Sequence, residues 1–161
     1  GAKALPDQFV LEQGGRRWLL THGDELCIDD AAYQAMRAQL RDPAFVRDFL
    51  ARSLQERIAI AEDLRNKSKT ASSSKPEDIM DVNAAAVDEL LERTAADGLI
   101  HGHTHRPAIH RLDHGKPRVV TGDWGEVGWL VALEGDQLTL ERFTPEGSEV
   151  VAAWPSREEA A

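Results

Sequence analysis

Two short apolar runs, Phe9-Val10-Leu11 before Glu12 and Trp18-Leu19-Leu20 between Arg17 and Thr21, are separated by Gln13-Gly14-Gly15-Arg16. A glycine pair between two such runs predicts a β-hairpin, and its second strand delivers His22-Gly23-Asp24 at its C-terminal end. The period then changes. Tyr33, Met36 and Leu40 recur at near-helical spacing behind Asp29-Asp30, either of which can serve as an N-cap. Asp42-Pro43 opens a second helix with Phe45, Val46, Phe49 and Leu50 on one face, and Ser53 starts a third carrying Leu54, Ile58 and Leu64. Asn66 to Lys75 is polar and cationic and reads as a linker; from Pro76 the spacing of Ile79, Val82, Ala86, Val87, Leu90 and Leu91 predicts the longest helix, ending near Gly98. Short strand-like runs return at Leu99-Ile100, 108–112, 118–121, 129–133 and 138–143, the last two joined as a hairpin through Glu134-Gly135-Asp136-Gln137. The pattern predicts an α/β chain whose first helices are inserted between strands as a cap. After Pro145 the chain is acidic and alanine-rich, and a frayed tail is expected in which Trp154 alone docks.

A length of 161 residues with 42% hydrophobic content supports one core. The net charge of −9 argues against general nucleic-acid binding. A single cysteine, Cys27, excludes an internal disulfide framework and reads as a small core residue; with no signal peptide or long apolar run, a reducing cytoplasmic setting is expected. Residues 37–75 break the acidic trend, with nine basic residues against five acidic. A basic helical cap bearing Phe45 and Phe49 suits an anionic ligand with an apolar part or an acidic lipid surface, and equally an ordinary bundle with solvated arginines. The hydroxyls and ammonium groups of Asn66 to Lys75 suit either a flexible connection or a loop holding phosphate and sugar oxygens.

The candidate chemistry sits in Ile100-His101-Gly102-His103-Thr104-His105-Arg106-Pro107. With Pro107 excluding a helix, the segment reads as a short strand running into a tight turn that can aim neighbouring imidazoles at one point; alternation in extended backbone would put His103 and His105 on one side, and imidazole is the commonest metal ligand. A cluster on a solvated loop is the alternative. His22 is a plausible third ligand with Asp24 behind it as an orienting acid, although Asp24 is equally a turn or cap residue. Three histidines with an open position suit a mononuclear zinc hydrolase, whereas a two-metal phosphoesterase needs more carboxylates than Asp24, Asp29 and Asp30 offer. Taken alone the chain supplies half a site. His110 and His114 read as structural or surface residues.

THGDELCIDDAAYQ, NKSKTASSSK, IMDVN and HGHTHRP, in this order between about Leu5 and Phe143, resemble the UDP-2,3-diacylglucosamine hydrolase family within the calcineurin-like metallophosphoesterases. The resemblance implies the C-terminal part of an αββα sandwich, with a core at 1–29 and 69–145, an inserted helical cap at 30–68 and a flexible tail at 146–161. It implies a manganese-dependent hydrolase of lipid A biosynthesis, in which water activated by two Mn2+ ions attacks the α-phosphate of UDP-2,3-diacylglucosamine to give UMP and 2,3-diacylglucosamine 1-phosphate. Carried over by residue, His22, His103 and His105 are metal ligands, His103 also lies against the substrate phosphate, and Asp30, Ser68, Ser72 and Lys75 contact substrate. Ser72 stands where relatives often have asparagine or threonine; Arg65 and Tyr33 are weaker candidates. Peripheral association with the cytoplasmic face of the inner membrane is implied as well. The family's earlier Asp-x-His, Gly-Asp and Gly-Asn-Arg-Asp segments are absent, so a truncated chain is expected, inactive until its missing N-terminal segment is supplied. Two other readings are a metallophosphoesterase for another nucleotide or phosphodiester, and a non-catalytic lipid-binding remnant.

Overall fold

Gly14 and Gly15, both at positive φ, close the expected hairpin between β1 (Gln8–Gln13) and β2 (Arg16–Thr21). The computed structural model describes residues 1–72 and 79–155, without the side chains of residues 69, 71 and 72. It divides into two compact units, 1–26 with 84–161, and 27–83.

In the first unit, β1 and β2 are followed in space by β3 (Gly98–His101), β5 (Pro117–Val120) and β4 (Ala108–Arg111). β2, β3 and β5 run parallel and the two outer strands antiparallel, so the sheet is mixed. The chain is therefore of the α/β class. A second, antiparallel sheet holds β6 (Gly128–Glu134), β7 (Gln137–Thr144) and β8 (Gly147–Trp154). The two sheets share a core of Trp18, Val119, Leu138 and Leu140, with Leu20, Ile100, Trp129 and Val131 packed against it. The other face of the first sheet is spanned by α4 (Ala84–Thr94), which buries Val87, Leu90 and Leu91. Arg93 ties that helix to Gln8 on β1 at 3.4 Å, and Asp88 ties it to His114 in the β4–β5 turn at 3.1 Å.

Three expectations change here. The segment from 147, expected as a flexible tail, forms β8; it pairs along β7, and Trp154 stands edge-on to Trp18 with ring centroids 6.1 Å apart while Arg16 lies 4.6 Å over its ring. The apolar run Val150-Val151-Ala152-Ala153-Trp154, opened by two β-branched residues, carried a strand signal that the acidic, alanine-rich composition hid. The helix expected from Pro76 begins only at Ala84, and Pro76 itself lies outside the described residues. The backbone approach of the two hairpins was not legible at all: a Cβ on Gly14 would fall on the carbonyl oxygen of Gly135, so the β1–β2 and β6–β7 turns touch main chain to main chain.

The second unit is helical. Asp30 caps α1 (Ala31–Leu40) by accepting from the Tyr33 amide at 3.0 Å, and Asp42 caps α2 (Pro43–Leu50) by accepting from Ala44 and Phe45 at 2.7 and 3.1 Å. Ser53 and Glu56 form a reciprocal capping box for α3: the Ser53 amide donates to Glu56 at 2.9 Å and the Glu56 amide to Ser53 Oγ at 3.3 Å. The third changed expectation is that α3 runs from Leu54 to Ser72, through most of the stretch read as a linker. No glycine or proline interrupts it, Lys67 pairs with Asp63 one turn back at 2.7 Å, and Thr70 donates to the Asn66 carbonyl at 3.0 Å. A polar, cationic composition lacks an apolar stripe but does not break a helix.

Candidate active site

Parallel neighbours end on the same side of a sheet, so β2 and β3 deliver His22-Gly23-Asp24 and His101-Gly102-His103 beside each other. The Gly102 amide donates to the His22 carbonyl at 3.1 Å, and the Thr121 amide, past the end of β5, donates to the His101 carbonyl at 2.8 Å. Gly23 has φ +100, and a Cβ there would stand 2.7 Å from His101 Nδ1, so only glycine lets these turns close.

The result is a pair of imidazoles. The rings of His22 and His103 lie 5.0 Å apart, centroid to centroid, tilted by 54°. His22 is solvent-facing and turns Nδ1 toward the buried Asp24 carboxylate at 3.3 Å, which leaves Nε2 as its outward nitrogen. This is the arrangement of an acid orienting an imidazole ligand. His103 sits at φ +63, and the Thr104 amide donates back to the Gly102 carbonyl at 2.7 Å, closing a three-residue γ-turn around it. That conformation is costly for a residue with a Cβ, and such strain concentrates at functional sites. Thr104 Oγ1, in the same turn, is buried without a hydrogen-bond partner among the described residues.

His105 also has a left-handed backbone, φ +53, so the extended alternation expected of this segment is absent. Its Nδ1 lies 4.0 Å from Asp123, in the loop after β5. Among the described residues no three His, Cys, Asp or Glu side chains gather as a metal site. The structure thus brings His22 and His103 together and puts His105 beside Asp123.

His101 is only 2% exposed and has a separate role. A guanidinium only donates, so the 3.2 Å contact from Arg118 makes His101 Nε2 an acceptor and puts the ring proton on Nδ1, which donates to the Gly102 carbonyl at 3.0 Å. Both ring nitrogens are committed within the sheet. Sequence reasoning did not pick out Arg118 or Asp123; they lie 17 and 18 residues from the histidines they meet, and only the β3–β5 pairing and the following loop bring them there.

In the second unit, Asp30 is 7% exposed with its carboxylate engaged as the α1 cap, and Tyr33 lies on the first turn of that helix. Arg65 and the half-buried Ser68 are on α3. Ser72 ends α3, its side chain outside the described residues, and Lys75 lies outside them altogether.

No protein-family model matches the chain. Among solved structures, vacuolar protein sorting 29 from Cryptosporidium parvum aligns over 92% of this chain and 57% of its own, with 15% identity and a TM-score of 0.46. Among curated proteins, the UDP-2,3-diacylglucosamine hydrolase of Xanthomonas oryzae pv. oryzae (strain PXO99A) is 45% identical over 153 residues, and that of Bordetella pertussis (strain Tohama I) is 47% identical over 141. These alignments cover 89% and 81% of this chain but 62% and 55% of the relatives. By sequence, the chain is a relative of the UDP-2,3-diacylglucosamine hydrolases that spans about three-fifths of their length.

Proposed function

We propose that this chain carries part of the active site of a calcineurin-like metallophosphoesterase that hydrolyses the pyrophosphate bond of UDP-2,3-diacylglucosamine, releasing UMP and 2,3-diacylglucosamine 1-phosphate for lipid A biosynthesis. The observation that carries the reading is the His22–His103 pair on a strained turn, in a chain 45% identical to hydrolases of that name. The pair fits a share of a metal centre: two imidazoles, one oriented by a buried carboxylate. It does not fit a whole manganese centre, which favours oxygen donors. A pair of Mn2+ ions, when bound, supplies Lewis acidity at the phosphate and an activated water.

The chain's own residues have the following assignments. His22, His103 and His105 hold metal, and His103 also touches the phosphate being cleaved. Asp30, Ser68, Ser72 and Lys75 contact the substrate, Lys75 as a point charge against phosphate oxygens. The helical unit shelters the acyl chains: Phe45 and Phe49 stack with centroids 6.2 Å apart, and Val46, Leu50, Leu54 and Ile58 are exposed. A lipid substrate calls for peripheral attachment to the inner membrane's cytoplasmic face, and no helix among the described residues is long and apolar enough to cross a membrane.

The test is a chimera in which the matched segment of this chain replaces that of the Xanthomonas relative, assayed for UMP release from UDP-2,3-diacylglucosamine with Mn2+. Turnover that falls at least about a hundredfold on His103→Ala supports the reading. A folded chimera that releases no UMP, beside an active parent, rejects it.

A further inference from the structure

The loop that carries Asp123 continues into Trp124, the most exposed of the chain's large apolar side chains among the described residues at 75%. Trp124 is nonetheless fixed. Its indole N–H donates to the Trp129 carbonyl at 3.2 Å, and its ring stands edge-on to Phe143, centroids 5.5 Å apart and planes at 86°. Phe143 in turn covers Gly128, its partner in the β6–β7 register, where a Cβ would meet the ring. A cleft of about 350 Å3 opens between them, lined further by Glu126, Val127, Thr144 and Pro145. That is the size of a small-ligand site, apolar with one carboxylate acceptor.

We propose that this cleft is the nucleobase subsite and takes the uracil ring of the nucleotide. The inference rests on the hydrolase reading for the identity of its ligand. A rigid indole whose polar edge is already satisfied offers its flat face, and a flat heteroaromatic ring is the partner that face suits. Glu126 lines the cleft, and a carboxylate accepts from a ring N–H such as uracil carries at N3. An acyl chain would leave that carboxylate against hydrocarbon, at a desolvation cost with no return. The position agrees. Asp123 is 4.0 Å from His105 and next to Trp124 in the chain, so the cleft adjoins the histidine turn. A nucleoside monophosphate joins a phosphate to a flat ring through one sugar, and these two features are what this end of the sheet sets side by side.

The experiment is ligand-observed NMR on the chain itself with UMP and with ribose 5-phosphate, which lacks the base. UMP binds about tenfold or more tightly than ribose 5-phosphate; Trp124→Ala abolishes the difference and Trp124→Phe keeps most of it. His103→Ala weakens both ligands alike. N3-methyluridine monophosphate binds less well than UMP, and Glu126→Gln narrows that gap. Equal binding of the two ligands by the native chain overturns the subsite, as does a UMP preference untouched by Trp124→Ala, or one lost selectively in His103→Ala. The two proposals fail separately. A base preference that follows Trp124 in a chain whose chimera releases no UMP removes the hydrolase and keeps the subsite, whereas an active chimera whose KM ignores Trp124→Ala removes the subsite alone.

Discussion

The amide of Gly102 donates to the carbonyl of His22 across 3.1 Å, and this main-chain bond joins the two turns that hold the imidazole pair. The distance between the His22 and His103 rings is thereby set by backbone pairing.

Gly23→Ala should damage that join. The new Cβ would stand 2.7 Å from His101 Nδ1, at a φ of +100 that alanine adopts only with strain. We expect a loss of about 1–3 kcal/mol, read from urea unfolding, while alanine at the open Gly125 is neutral.

His103→Gly should act in the opposite direction. Removing the Cβ from a residue at φ +63 relieves strain, so stability rises by about 1 kcal/mol while any metal or phosphate binding at the pair falls. Thermal unfolding and Mn2+ titration of the same preparation check both halves. An unchanged or lowered Tm would mean that the His103 side chain contributes packing that outweighs its backbone cost.

Arg118→Met leaves the Nε2 of buried His101 without its donor. The expected cost is about 1–3 kcal/mol. If the pair acts as a unit, Arg118→Met in a His101→Phe background costs measurably less than in the native chain.

The capping box of α3 predicts a pH dependence. The side-chain hydrogen bond from Ser53, together with that from its amide and with Arg52 nearby, holds the Glu56 carboxyl below its ordinary value of 4.5. A carboxyl depressed in the folded state stabilises above its unfolded pKa and loses that contribution as pH falls through the folded one. Far-UV circular dichroism should show part of the α3 signal fading below pH 4.5 in the native chain, and a weaker pH dependence in Glu56→Gln.

Much of the fold was legible because each element announces itself locally. Gly14-Gly15 marks the first hairpin, Asp42-Pro43 and Ser53 mark helix starts, and short apolar or β-branched runs between turn residues mark β4 to β7. Composition misled where geometry decides: a cationic run became the end of α3, and an alanine-rich tail became β8. In the site, His22 and His103 were visible as residues, but the spacing argument placed His103 and His105 in extended backbone. The tight turn expected after the strand is present, closed around His103 by the Gly102–Thr104 hydrogen bond, but both histidines have positive φ and the extended alternation does not hold. The acids behind the histidines divide the same way. Asp24 is two residues from His22 and could be read off; Asp123 is reached only through the sheet.

The contact between the Gly14 turn and the carbonyl of Gly135 bears on how this protein can be handled. Hairpin tips are ordinarily the first choice for inserting an epitope, a fluorophore or a protease site, because they tolerate extra residues. Here the two tips are one joint between sheets, and lengthening either would pry apart the layers that clasp Trp18. A label is better carried by the β4–β5 turn at the exposed Asp113, beside rather than at the side chains of His114 and Lys116 that tie this turn to Asp88 and to the Ala96 carbonyl.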